Sequence, residues 1–369
     1  MNIREMVKNR EFELLALVDV FEITDFSNLF NGCQFENVDF LKDWDVSNAT
    51  NMEGMFVNCK RLKSIEGLAH WKVSKVANFS RMFLNCESLE SLKGLELWDT
   101  VNGKDYNNMF SCCKSLKDVN ELINWNVSKC SYFTGMFNNC HSLKNLEGLK
   151  FWDMKKAVNL MMLFNNCFVL KDISALENWN VSNGKFFSAI FNGCESIENI
   201  DSLAKWNMSK CQSFNWFFCG CSSLKSLLPL MNWDVSDGRE YVDMFRGCKS
   251  LETIDGVERW NMTSAVDLTG MFAFCSSLKS IALLASWNVS NVENFNYLFN
   301  GCISLRSVMG VEFWNISRGV LFNGVFKDCN NIKDIEKLSQ WKTFKTTKDN
   351  MKRSKSTLST KLVKNNTFM

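Results

Sequence analysis

WNVSNVENFNYLFNGCISL at 287–305 decides the fold, because WDVSNATNMEGMFVNCKRL at 44–62 lines up with it without a gap. The alignment is one instance of a period. Twelve of the thirteen tryptophans stand 27 residues apart: Trp44, Trp71, Trp98, Trp125, Trp152, Trp179, Trp206, Trp233, Trp260, Trp287, Trp314 and Trp341. Eleven complete units therefore fill 44–340 with no insertion or deletion. A fixed period between about 20 and 50 residues marks a solenoid, a propeller or an array. Each tryptophan is taken below as position 0 of its coil, and coils 1 to 11 begin at Trp44 through Trp314.

Other columns keep the same step. Phenylalanine holds position 12 from Phe56 to Phe326, and cysteine holds position 15 from Cys59 to Cys329. Leucine or isoleucine follows at position 18, from Leu62 to Ile332. The apolar positions 5, 8, 11, 12 and 15 have the spacing of one helix face. Ser or Thr at position 3 in nine of eleven coils predicts an N-cap, as at Ser47 and Ser290. Asn or Gly at position 14 in eight coils, such as Asn58 and Gly301, predicts a left-handed stop. A short helix is expected between cap and stop. Leucines every three residues, as in LKSIEGLAHW at 62–71, suggest a short strand near positions 18–23. One such unit cannot offset its own ordering entropy, so neighbours must stack on it. Strands pack at about 4.8 Å and helices at about 8–10 Å, so the stack is expected to curve.

The unit W-[DN]-V-S-x-x-x-x-F-x-x-M-F-x-x-C-x-x-L resembles the repeat of the BspA-like surface proteins, over residues 23–341. That family is a leucine-rich-repeat relative. The resemblance implies an α/β repeat solenoid, a leucine-rich-repeat-like curved stack of eleven 27-residue units, each a short strand plus a short helix. It also implies a non-enzymatic binding or adhesion role. Units of this family commonly run a residue or two shorter, and its surface members carry an export signal that is not visible here.

The ends differ from the array. ITDFSNLFNGC at 23–33 matches NVENFNYLFNGC at 291–302, so 1–43 reads as an N-terminal cap holding a partial repeat. After Trp341 the pattern stops, and 342–369 carry eight Lys/Arg against Asp349 alone. This stretch, with Lys352-Arg353-Ser354-Lys355, is expected to be a basic disordered tail. The run LLALV at 14–18 is too short for a secretory signal, and no stretch reaches membrane-span length. These readings point to an intracellular protein with reduced thiols, the alternative being a surface adhesin.

Composition narrows the chemistry. The chain is 46% apolar and 22% charged, the balance of a folded protein. A net charge of +2 supplies no global field, so nucleic acid is expected only through the tail. The two histidines, His70 and His141, lie in different coils with no nucleophile motif or glycine-rich phosphate loop beside them. No catalytic site, metal or cofactor is expected. Zinc sites want paired cysteines, and only Cys219-x-Cys221 and Cys112-Cys113 come near. The cysteine column reads instead as reduced core, and the tryptophan column as core or coil corner. The W-[DN]-x-[ST] triplets such as Asn126-Val127-Ser128 read as caps rather than glycosylation sites.

A protein partner is the expectation, and one place breaks the repeat in its favour. Positions 22 and 23 are mostly polar or glycine, yet they hold Leu228, Pro229, Ala282, Leu283 and Met309 in coils 7, 9 and 10. Lys225, Lys279 and Arg306 at position 19 would rim that apolar patch. The remaining lysines of that column, with Glu90, Glu198 and Glu252 between them, read as a solvated face. Trp216, off-register at position 10, is a further candidate contact.

Overall fold

The computed structural model describes residues 3–341; the basic tail expected at 342–369 lies outside them. The chain forms two compact units. Unit 1 extends to Cys194 and takes in Asp201–Asn207; unit 2 comprises Glu195–Ile200 and continues from Met208. Unit 1 begins with two short helices, α1 (Ile3–Lys8) and α2 (Phe12–Leu15).

Both units are made of one coil design. At position 1 an Asp or Asn side chain accepts the N–H of position 3: Ser47 to Asp45 at 3.0 Å, Ser128 to Asn126 at 3.1 Å, Ser236 to Asp234 at 3.0 Å. This is an Asx turn. The expected serine cap is therefore corrected: the serine backbone donates, and the residue before the valine accepts.

Positions 8, 10, 12 and 14 then send their N–H groups to the next coil. Met52 donates to Asn78 O at 2.9 Å, Gly54 to Ser80 O at 2.8 Å, Phe56 to Met82 O at 2.8 Å and Asn58 to Leu84 O at 2.8 Å. The intervening N–H groups close tight turns within the coil, Met55 to Met52 O and Cys59 to Phe56 O, each at 3.2 Å. Just before these rungs, position 7 forms parallel bridges, Asn51 to Asn78 to Asp105 to Tyr132 in unit 1 and Ser213 to Glu240 to Asp267 to Asn294 in unit 2.

This corrects the predicted helix. Among the described residues, α-helix occurs only in α1 and α2. Positions 10 and 14 have φ near +60°, as at Gly54 (58°), Asn58 (61°), Asn108 (55°) and Trp216 (56°). An α-helix allows no such residue, and its i→i−4 donors are here spent on the neighbouring coil. The left-handed conformation expected at position 14 is present, but it belongs to a turn and not to a helix end.

The predicted strand is corrected too. Positions 22–24 form 3-10 turns in most coils, among them Glu66–Leu68 and Glu147–Leu149 in unit 1 and Leu228–Leu230 and Ala282–Ser286 in unit 2, and other tight turns in coils 2, 8 and 10. A Ser, Asp or Asn at position 20 sets each turn by accepting the N–H of position 22, as Ser226 does from Leu228 at 3.1 Å and Asn145 from Glu147 at 3.3 Å. The α/β assignment thus fails in its parts while the repeat stack stands.

Like side chains meet like along each stack. Trp44 and Trp71 lie parallel, 6.4 Å apart at 5°, and Phe56 and Phe83 lie 5.4 Å apart at 6°. Within the stack an indole N–H donates to the carbonyl three residues before the preceding tryptophan, Trp71 to Leu41 at 3.0 Å and Trp260 to Leu230 at 3.0 Å. At the two ends, Trp44 donates to Leu15 O at 2.8 Å, and the Trp341 N–H is buried without a partner among the described residues. The tryptophan column is core, as expected. So is the cysteine column. All sixteen cysteines are free, and each column thiol named here donates to a carbonyl of the previous coil, Cys86 to Phe56 at 3.2 Å and Cys275 to Phe245 at 3.1 Å. Burial pushes these thiols up, to about 12 at Cys167 and Cys275, so they stay protonated donors.

Candidate interaction surface

The position 22–23 candidates all lie in unit 2. The 3-10 turns of coils 7 and 9 and the turn at 309–313 of coil 10 point the side chains outward: Leu228 is 52% exposed, Leu283 44% and Met309 50%, with Pro229 and Ala282 half-buried beside them. Leu227, Leu230, Ile281 and Leu284 point inward and are buried, so the turn splits adjacent leucines between core and solvent. Two glycines bring coil 8 close to coil 7 and coil 10 close to coil 9, with the exposed Asp255 of coil 8 between Leu228 and Leu283 in the column. A Cβ on Gly256 would meet Leu227 O at 2.3 Å, and one on Gly310 would meet Ile281 O at 2.4 Å. Both adopt φ near +105°, and each donates its N–H to the glutamate two residues on, Glu258 and Glu312. The coils thereby press together under Leu228, Leu283 and Met309.

The rim is not a free basic stripe. Lys225 pairs with Glu198 at 2.5 Å, and Lys279 pairs with Glu252. Unit 1 repeats the device: Lys63 with Glu36 at 2.8 Å and Lys117 with Glu90 at 2.5 Å. The lysine holds each of Glu36 and Glu90 below the usual carboxylate range. The partner acid comes from the preceding coil's own end of this column, not from position 22. Arg306 is exposed and forms no ion pair among the described residues.

Trp216 is 42% exposed, but it stands in the turn-and-rung segment, away from the 3-10 patch. Two exposed aromatics of that segment went unread in the sequence. Phe274 lies across Gly301 with the Arg246 guanidinium 4.6 Å from its ring centre, and Tyr297 lies across Gly324. The signal was available: an aromatic followed 27 residues later by glycine in the same column. Trp216 is followed by Asp243 and lacks that seat.

Positions 1–7 form a second face. In coils 2–6 of unit 1 they carry Lys72, Lys75, Lys104, Lys129, Lys155, Lys156 and Lys185, all exposed, against Asp99, Asp105 and Asp153. These aspartates accept backbone N–H groups from Val101, Asn107 and Lys155 at 2.9–3.1 Å. Tyr132 (52% exposed) and Phe186 (45%) emerge among the lysines from one bridge column, with Asn159 between them. In unit 2 the same positions line an open groove of about 730 Å³ holding Asp237, Arg239, Glu293 and Arg318.

His141 stacks on Phe168, ring centres 4.6 Å apart; burial and then Lys114 lower its pKa. Half-buried Cys219 is pushed up to about 11 by burial and, next, by Asp243. Among the described residues no group of three or more His, Cys, Asp or Glu is placed to hold a metal, and no helix is long and apolar enough to cross a membrane.

Four overlapping matches, at 1–118, 64–172, 144–256 and 240–365, align the chain with the family described as Mycoplasma protein of unknown function, DUF285. The chain belongs to the DUF285 family. The BspA-like leucine-rich-repeat reading stands with it. No curated protein matches the chain. Among solved structures, a leucine-rich repeat protein from Bacteroides ovatus is 15% identical, covering 76% of this chain and 80% of its own, at a TM-score of 0.33. A leucine rich cell surface protein from Faecalibacterium prausnitzii is 16% identical, covering 80% and 81%, also at 0.33. A leucine-rich repeat protein from Eubacterium ventriosum is 13% identical, covering 74% and 78%, at 0.34. Superpositions this loose carry no argument about what the DUF285 chain binds.

Proposed function

We propose that this DUF285 chain is a non-enzymatic scaffold that binds a protein partner through the unit 2 patch of Leu228, Pro229, Ala282, Leu283 and Met309. One observation carries the reading. Three large apolar side chains, Leu228, Leu283 and Met309, are about half exposed on the turns of coils 7, 9 and 10, at positions that elsewhere hold mostly polar residues or glycine. A contiguous apolar surface with a polar rim is the physical form of a protein interface. Lys225, Lys279 and Arg306 form that rim, and the Lys225 and Lys279 pairs with glutamate suit selectivity more than affinity. Trp216 serves as a separate contact.

The scaffold reading extends to an intracellular setting. Sixteen free thiols, most of them buried hydrogen-bond donors, suit a reducing compartment. Counting thiols on the native protein in denaturant tests this: sixteen supports it, and inter-coil disulfides would favour an exported adhesin. For the patch itself, Leu228→Glu with Leu283→Glu is the test. Proteins retained by the wild-type chain from its native cell extract are expected to be lost, with the thermal melt unchanged. Retention of the same proteins would refute the patch, and a collapsed melt would make these core residues.

A further inference from the structure

We infer that the lysine–aromatic face of unit 1, positions 1–7 of coils 2–6, binds single-stranded nucleic acid. The inference does not depend on the unit 2 patch.

The charge argument is local. Seven exposed lysines share this face with three aspartates, and among the described residues none of the seven forms an ion pair with a carboxylate. The contrast with position 19 is internal to unit 1, where Lys63 and Lys117 are each neutralised by a glutamate. Glutamates thus pair with Lys63 and Lys117 of position 19, while positions 1–7 of coils 2–6 hold no glutamate at all. On the second face Lys75 and Lys129 rest on the amide oxygens of Asn48 and Asn102, both at 2.7 Å, which fix the ammonium groups without cancelling them. Summing charge over the whole chain hides this field, because unit 2 carries the opposite sign at the same positions. Such a field attracts a polyanion.

The rings choose among polyanions. Tyr132 and Phe186 sit two rungs apart on one parallel bridge column, about 10 Å from each other at the usual strand spacing. Neither has a ring partner among the described residues, although stacked aromatics such as Tyr106 and Phe133 fill the core beside them. An acidic polypeptide would use the lysines and leave both rings idle. A duplex keeps its bases stacked on one another. Only a single strand offers phosphates to the lysines and free base faces to the rings.

The experiment measures fluorescence anisotropy of a labelled 20-mer of deoxythymidine with the full chain. The tail is present in every arm. If five lysines each meet a phosphate, raising salt from 50 to 200 mM weakens binding about 100-fold. Lys129→Glu, Lys156→Glu and Lys185→Glu together are expected to lower affinity at least 30-fold, and Tyr132→Ala with Phe186→Ala at least tenfold. Arg239→Glu with Arg318→Glu in unit 2 should change it less than threefold. All these side chains are exposed, and an unchanged melt confirms folding. Three results would overturn the inference: no binding at 50 mM salt, equal affinity for polyglutamate or duplex DNA with no effect of the ring substitutions, or a lysine triple variant that binds as the wild type does.

Discussion

Positions 1–7 carry opposite charge in the two units. Coils 2–6 place seven lysines there against three aspartates; coils 8–11 place Arg239 and Arg318 against Asp234, Asp237, Glu240, Asp267 and Glu293. Beneath both faces the core is the same. Trp152 lies on Trp179 at 6.4 Å in unit 1, and Trp233 lies on Trp260 at 6.5 Å in unit 2. The lesson is a division of labour. Inward positions must match from coil to coil or the rungs lose register, whereas outward positions other than the turn-setting acceptors at 1 and 20 are free to vary in charge. Charge can therefore reverse along a surface with no change in the stack.

The largest test of this division is a core truncation in each unit. Trp152→Ala and Trp260→Ala should each cost about 3–5 kcal/mol, through lost stacking and the cavity left behind. Denaturant unfolding measures both; a large cost in one unit alone would show that the two cores are not equivalent. A smaller effect separates two left-handed glycines. Gly256→Ala in unit 2 combines φ of +107° with a Cβ 2.3 Å from Leu227 O, and should cost about 3 kcal/mol. Gly32→Ala in unit 1 has φ of +75° and open space, so only the backbone cost of about 1 kcal/mol remains. Equal melting shifts for the two would mean that the coils do not press together under the unit 2 patch.

The smallest effect concerns acid and salt. Glu90 is lowered by its hydrogen bond and charge interaction with Lys117, Asp234 by the Ser236 hydroxyl and N–H. Both ionise more easily folded than unfolded. Each therefore stabilises above its unfolded pKa, near 4.5 and 3.8, and that stability is lost as pH falls through the folded value. Carboxyl titration by NMR at 0.05 and 0.5 M NaCl should raise the Glu90 value at high salt and leave Asp234 in place. A salt-insensitive Glu90 would remove the ion pair from the account.

Much of this was legible beforehand. Trp, Phe and Cys at constant step announced a stack with these residues inside, and they are inside. The exposed Leu228, Leu283 and Met309 were legible as breaks in a polar column. The local backbone was not. Positions 5, 8, 11, 12 and 15 fit a helix face, and they fit equally a chain of three-residue turns. Gly54, Asn108, Gly135, Gly270 and Gly324 at position 10 were the discriminating signal, since a helix interior does not favour them. The unit 1 face was missed because whole-chain charge averages over two units of opposite sign.

By itself the sequence determined the period, the identity of the columns and which of them face inward, because a strict 27-residue repeat leaves like residues nowhere to go but onto one another. Only the tertiary structure decided where the hydrogen bonds go. The N–H of Phe56 could close a helix with its own coil or a rung with Met82, and nothing within one unit prefers the rung. The next coil supplies the carbonyl, so the choice exists only once coils have stacked.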